Sequence, residues 1–283
     1  MRPEALPSRE PQPMTTWERL TLARHPERPH TLDMVGRVMS DFVELRGDRL
    51  FGDDQAMVGG LARFGEETVM VVGQQKGRDT KDNLVRHFGM PKPEGYRKAL
   101  RLMKQAEQFG MPVIAFIDTP GADPGLQSEE RGQAMAIATN LLEMSRLRTP
   151  TISVVIGEGG SGGALAIGVT DRILMLENSV YSVASPEGSA AILWKDSGQA
   201  SRAAEAMRIT AFDLWDMDIA DEVIPEPKGG AHLDPTATAS ALQTVLLRHL
   251  AELRGMYGAG SKLDSARLLE DRFARFRRIG VFR

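Results

Sequence analysis

Two periodicities alternate along the chain. From Thr31 onward, Met34, Val35, Val38, Met39 and Phe42 fall on one helical face, and Thr31 can cap it, so the spacing predicts a helix from Leu32 to about Leu45. Asp48 to Asp54 reads as a loop. Ala56 to Phe64 and Thr68 to Gly73 then read as two strands joined by the turn Gly65-Glu66-Glu67. Pro93 opens an amphipathic helix carrying Tyr96, Leu100, Met103 and Glu107 at helical spacing, and Gly110 closes it. After Pro112 comes the apolar run Val113 to Ile117, which ends in Asp118-Thr119-Pro120-Gly121. A helix over roughly Glu129 to Leu147 places Met135, Ala138, Leu141 and Leu142 inward. A second apolar strand, Thr151 to Ile156, runs into Gly157-Glu158-Gly159-Gly160-Ser161-Gly162-Gly163, followed by a short helix and the strand Arg172 to Leu176. Residues 200–250 read as mostly helical, and beyond Ser261 the residues Leu269, Phe273 and Phe276 keep helical spacing.

Continuous apolar strands alternating with helices predict a parallel sheet covered on both faces, an α/β fold. The pattern divides the chain into a flexible Pro-rich lead (1–16), a main domain (17–250) and a basic helical tail (251–283). With 283 residues, 42% of them hydrophobic, there is material for one large core. The formal net charge of −3 argues against a globally basic nucleic-acid binder. The absence of cysteine removes disulfides, thiolate nucleophiles and Cys-based zinc or iron–sulfur sites. None of the five histidines pair at HExxH spacing, so no metal site is expected. No run approaches the ~18 apolar residues of a membrane span, and the start lacks the apolar stretch of a secretory signal. A cytoplasmic protein without a membrane partner is expected.

In parallel α/β sheets ligands gather at the carboxyl ends of strands, where loop amides converge. Two loops qualify, Asp118 to Gly125 and Gly157 to Gly163, and the second admits three readings. Gly157-Glu158-Gly159-Gly160-Ser161-Gly162 satisfies G-x-G-x-x-G with Glu177 twenty positions on, the pattern of a dinucleotide-binding oxidoreductase, although the following helix is short. Gly159-Gly160-Ser161-Gly162-Gly163 satisfies G-x-S-x-G, and Asp221 and His232 follow in the order of a serine hydrolase. In the third reading Gly162 and Gly163 aim backbone N–H groups at a developing negative charge, with no side-chain nucleophile.

Several runs together resemble the carboxyltransferase alpha subunits of acetyl-CoA carboxylase. They are Gly73-Gln74-Gln75-Lys76-Gly77-Arg78, Phe88 to Pro91 with Pro93 to Ala99, Ile117 to Ala122, Gly157 to Gly168, Ser185 to Gly188, and Pro225-Glu226-Pro227 with Gly229 to His232. The resemblance covers about Leu22 to Leu250. It implies a crotonase-like (ClpP/crotonase) fold of repeated ββα units with flanking helices. It also implies an α2β2 heterotetramer with a beta subunit that carries the zinc ribbon. The implied reaction moves a carboxyl group from carboxybiotin, held on the biotin carboxyl carrier protein, to acetyl-CoA, giving malonyl-CoA for fatty acid biosynthesis. Biotin carboxylase charges the carrier in a separate step. Carried over by position, Gly162 and Gly163 supply the oxyanion amides. Three further sets are candidates with an alternative each. Gly121 and Ala122 shape the pocket or only form a turn, and Lys76 and Arg78 meet a phosphate or the partner or are plain surface cations. Ser185 to Gly188 line the biotin pocket or only cap a helix. Trp194 and Tyr181 are expected in the core or an interface. Many relatives carry a longer helical segment ahead of Leu22, where this chain has a short Pro-rich lead. A Gly163→Val variant is expected to lose transfer while folding normally.

Overall fold

The computed structural model describes residues 13–280, so most of the Pro-rich lead and the last three residues lie outside the described residues. Helix α1 (Thr16–Ala23) begins on a capping box in which the Thr15 and Glu18 side chains each accept the other's backbone N–H. Helix α2 (Thr31–Val38) follows and stops there, correcting the helix expected to reach Leu45. Met39 turns extended, and β1 (Ser40–Glu44) pairs antiparallel with β2 (Met57–Phe64). Satisfying the backbone groups along the edge of β2 outweighs the helical spacing of Met39 and Phe42, which still pack against the core.

Strand β3 (Glu67–Gln74) forms a hairpin with β2, and α3 (Thr80–Val85) and α4 (Pro93–Phe109) lead to β4 (Val113–Thr119). Gly110 ends α4 at φ +66, as its position predicts. The single helix expected over 129–147 is two, α5 (Leu126–Glu130) and α6 (Gln133–Ser145), because Gly132 between them sits at φ +80. Its inward face is also corrected. Gln133, Ala136, Asn140 and Met144 are buried, while Met135, Ala138 and Leu142 are exposed. Then come β5 (Thr151–Gly160), α7 (Ser161–Leu165), β6 (Arg172–Leu176), β7 (Val180–Ser182) and α8 (Pro186–Trp194). The mostly helical stretch holds α9 (Ala200–Met207), α10 (Ala211–Asp216) and α11 (Pro235–Tyr257), but also β8 (Glu222–Ile224), which pairs with β6; α12 (Ser265–Arg277) is last.

The strands form one sheet in the order β1-β2-β3-β4-β5-β6-β8, with β7 beside the far end of β5. From β3 to β8 the pairing is parallel. Two strands followed by a helix recur in β2–β3–α4 and β6–β7–α8, so the chain has the expected crotonase-like α/β architecture. One core lies on the face covered by α2 and α11, around Val35, Phe64, Phe116, Leu242 and Leu246. The other lies under α4, α6 and α10, around Tyr96, Leu102, Ile117, Val155 and Leu214.

The basic tail docks on the body, and not through the face its spacing suggested. Leu268 and Arg272 are buried, whereas Phe273 is 68% exposed. The Arg272 guanidinium donates to both Asp171 carboxylate oxygens (2.7 and 2.8 Å) and to the carbonyls of Met144, Leu147 and Thr149 (2.7, 2.8 and 3.1 Å).

A buried carboxylate in the β1–β2 loop makes stability pH-dependent. Asp54 accepts the N–H of Ala56 and of Lys92 (2.9 and 2.7 Å), yet burial pushes its pKa up to about 6. With an unfolded value of about 3.9, the folded state binds more protons between the two values. Stability contributed here therefore falls as pH rises from about 4 to about 6. Asp54→Asn removes that loss, so its stability relative to the parent should rise across the same window. Denaturant midpoints at about pH 4 and about pH 6.5 check this, and a constant difference between the two proteins would contradict it.

Candidate functional site

Strands β4 and β5 lie side by side with their carboxyl ends together. Between the pairs Ile117↔Val155 and Thr119↔Gly159, β5 spends two residues more than β4, so it bulges over Ile156 to Glu158. The fully buried Asp118 carboxylate fills the bulge. It accepts the Glu158 N–H (3.2 Å) and pairs with Lys76 Nζ (2.6 Å) and His30 Nδ1 (3.1 Å). Burial opposes its charge, but the Lys76 ammonium and the His30 hydrogen bond prevail and hold its pKa far below the usual carboxylate range. A Cβ on Gly157 would fall 2.4 Å from Asp118 Oδ1, so that glycine makes room for a carboxylate.

Beyond the bulge the two loops interlock. A Cβ on Gly160 would sit 2.1 Å from the Pro120 carbonyl oxygen, and one on Gly163 would sit 2.6 Å from both Ala122 N and Gly121 C. Gly121, Ala122, Gly162 and Gly163, singled out from the sequence, are thus brought together. Ser161, Gly162 and Gly163 are the first three residues of α7, whose N–H groups have no acceptor in a preceding helical turn. Because α7 spans only five residues, its dipole is small and the individual N–H groups carry any attraction for an anion.

The structure corrects the expectation that Gly163→Val leaves folding intact. The added carbon meets loop backbone, and the Tyr96 hydroxyl at 2.9 Å, where open space for a ligand oxygen was expected.

The other candidates lie around this centre. Lys76 points inward onto Asp118. Arg78 bonds Asp33 and the Arg28 carbonyl (2.9 Å), tying its loop to the segment between α1 and α2. Ser185 caps α8, its hydroxyl accepting the Gly188 N–H at 3.0 Å. Its neighbour Glu187 shares Arg24 with Glu158, which fastens the start of α8 to the end of β5. Tyr181 packs into the core on the α4 side, and Trp194 is half-buried beneath the Arg202 guanidinium. Asp118 and Gln74 also contact the centre directly; the sequence placed them in a candidate loop and in a family motif but gave neither a role of its own.

Neither alternative reading survives this geometry. Asp221 accepts the Ile173 N–H and bonds Arg275 at the start of β6, where Ile173 pairs with Ser153. Ser161 lies eight residues further along, roughly 25 Å at 3.3 Å per strand residue. His232 stacks on His25 with ring centroids 3.8 Å apart, and its buried Nδ1 has no hydrogen-bond partner. No triad forms. In the dinucleotide reading, Gly157 to Gly160 are strand residues packed on Asp118, Tyr181 and Pro120, and Glu177 is buried, accepting the Glu226 N–H at 3.0 Å.

At the glycine loops Ser161 is exposed, Gly121, Ala122 and Gly162 are half-buried, and Gly163 is buried. A concavity of about 1180 Å³ sits at the opposite end of the strands, between α11 and α12. Apolar side chains are exposed on neighbouring elements: Leu126, Met135, Leu142 and Leu165 on α5, α6 and α7, and Val183, Ile192 and Leu193 just after β7 and on α8. No group of three or more metal-ligating side chains occurs among the described residues, and no described helix is long and apolar enough to cross a membrane.

The family model described as acetyl co-enzyme A carboxylase carboxyltransferase-like matches residues 4–280, more of the chain than the motifs alone had covered. An acetyl-coenzyme A carboxylase carboxyl transferase subunit alpha from Listeria welshimeri is 58% identical over 269 residues, which is 95% of this chain and 82% of that protein. The subunit alpha from Halalkalibacterium halodurans is 57% identical over 266 residues, 94% of this chain and 80% of that protein. Among solved structures, transcarboxylase 12S superposes with a TM-score of 0.62 at 19% identity, covering 87% of this chain and 48% of that one. A Pseudomonas malonate decarboxylase hetero-tetramer in complex with malonate gives 0.61 at 19% identity, covering 81% and 91%.

Proposed function

Because the chain belongs to the acetyl-CoA carboxylase carboxyltransferase alpha-subunit family, we propose that it forms the biotin-facing half of a site that carboxylates acetyl-CoA. The observation that carries this reading is the interlocked pair of loops at Gly121–Ala122 and Gly162–Gly163. Gly162 and Gly163 belong to the first turn of α7, whose N–H groups have no acceptor in a preceding helical turn.

The substrate, carboxybiotin on a carrier protein, loses its carboxyl group as CO2 when the N–C bond breaks, and the electron pair passes to the ureido oxygen. The Gly162 and Gly163 N–H groups stabilise that charge. The resulting ureidate takes a proton from the acetyl methyl, and the enolate so formed attacks the CO2 to give malonyl-CoA. One backbone donor of this kind is worth roughly 3 kcal/mol of transition-state stabilisation. Holding both substrates face to face supplies a large further share. No side-chain base is required, which accords with Lys76, His30 and Asp118 being spent on one another.

The other half of the site is assigned to a beta subunit docking on these exposed apolar side chains, in an α2β2 assembly. Met135 and Leu142, inward by sequence pattern but outward in the fold, suit such a contact. Acetyl-CoA, the biotin carboxyl carrier protein and biotin carboxylase complete the system, in the cytoplasm. Malonyl-CoA-dependent carboxylation of free biotin or biocytin tests the reading. Activity is expected from the mixture of this chain with a beta subunit and from neither alone. Silence from a mixture that assembles would overturn it.

Ser161 is exposed and takes φ +54, a strained backbone that serine and alanine share. Ser161→Ala should therefore keep its transfer rate within about threefold of the parent, since no covalent serine intermediate is formed. Complete loss with assembly intact would revive a nucleophilic serine.

A further inference from the structure

Gln74, the last residue of β3, is fully buried and makes two hydrogen bonds that no assigned role uses. Its Nε2 donates to the Gly163 carbonyl at 3.1 Å, and its Oε1 accepts the Asp118 N–H at 3.2 Å. The orientation of the amide follows from the chemistry, because a carbonyl can only accept and a backbone N–H can only donate. The Gln74 main chain is held as well, its carbonyl accepting the Thr31 hydroxyl.

Gly163 needs such a clamp. It has the widest backbone freedom of any residue type, and it sits in a helix of five residues that cannot fix its torsions by length or propensity. The loop it packs against, Gly121–Ala122, is set by the end of β4, where Asp118 holds Gln74's other end. One side chain therefore joins both loops of the site and restrains the peptide planes around Gly163.

We infer that Gln74 is a positioning residue for the reaction: through the Gly163 carbonyl it sets the Gly162–Gly163 N–H groups where charge develops. The inference rests on the amide reading of the site. It predicts an effect on kcat rather than on substrate affinity, because the clamp touches neither substrate.

The test uses the assembled alpha–beta complex in the biocytin assay, with Gln74→Met and Gln74→Glu. Methionine keeps the length and apolar fit and loses both hydrogen bonds. Its kcat should fall about tenfold to a hundredfold, with KM for either substrate changed less than about threefold. Glutamate, when protonated, restores the pattern, its O–H donating to Gly163 and its C=O accepting from Asp118. When ionised it turns a carboxylate on a carbonyl. The Gln74→Glu rate relative to wild type should therefore climb as pH is lowered, while the Gln74→Met ratio stays flat. A purely structural role would lower melting temperature and assembly without producing that pH signature. Gln74→Met with wild-type kcat, or a Gln74→Glu ratio flat across pH, overturns the inference, and the second arm decides if the methionine variant fails to assemble. An inactive wild-type complex instead overturns the functional reading itself, which keeps the two failures apart.

Discussion

Gly163→Ala is expected to abolish carboxyl transfer by the assembled enzyme, with at least about a hundredfold loss of rate. The added carbon would lie 2.6 Å from Ala122 N and from Gly121 C and 2.9 Å from the Tyr96 hydroxyl. The first two are backbone atoms, so relief requires the loops to separate, carrying the Gly163 N–H away from the position the proposed mechanism assigns to the developing charge. Overpacking of this kind also lowers stability by about 1–3 kcal/mol, so the melting temperature should drop measurably. Gly162→Ala is the control. Its new carbon would stand 3.6 Å from the Ile137 side chain, an ordinary contact, and the backbone N–H remains. Assaying both variants beside a melting curve checks the contrast. Gly163→Ala retaining a tenth of the parent's activity would contradict the interlock, whatever happened at Gly162.

Arg272→Met should give the largest loss of stability. The Arg272 side chain, 1% exposed, forms two hydrogen bonds to Asp171 and three to carbonyls. Asp171 also accepts the Thr151 N–H and hydroxyl (2.7 and 2.9 Å), so it secures the start of β5. Removing the guanidinium leaves a buried carboxylate without its cation and takes one donor from each of three carbonyls, at a cost of about 3–5 kcal/mol. Of the three, only Met144 keeps a backbone donor among the described residues, the Leu147 N–H. For a chain of this size that corresponds to a melting temperature lower by roughly 10 °C. Helix α12 should also become cleavable by protease in the folded protein. The transfer rate of the molecules that remain folded and assembled should hardly change, because this anchor lies at the opposite end of the strands from Gly162 and Gly163. An unchanged melting temperature would show that the tail is held by something other than Arg272.

The two variants probe different kinds of information. Gly163 stood out in the sequence, because a glycine cluster after an apolar strand announces close backbone approach. What approaches was not visible there: the pattern suggested a ligand oxygen, and the neighbour is the Gly121–Ala122 backbone. Arg272 did not stand out, being one of eight basic residues from position 251 onward. Its burial depends on Asp171 and three carbonyls about a hundred residues earlier. The face of α6 shows the same limit. Helical spacing marked Met135, Ala138 and Leu142 as apolar, and they are, but periodicity alone does not say whether an apolar stripe meets the chain's own core or another protein.

By itself the sequence determined the α/β class, the strand and helix order over most of the chain, the lack of any thiol, and the resemblance to a carboxyltransferase family, and it drew attention to the glycine loop to which the proposal assigns the chemistry. These follow from local propensity, period and composition, which each residue carries wherever the fold puts it. Only the tertiary structure decided that Ser161, Asp221 and His232 form no triad. It also decided that β1 replaces the end of a helix, that Asp118 fills the bulge in β5, and that Gln74 joins the two loops of the site. Each is a pairing between residues far apart in the chain. Such pairings are selected by which buried polar groups and strand edges must find partners once the sheet has formed, and no spacing along one segment encodes them.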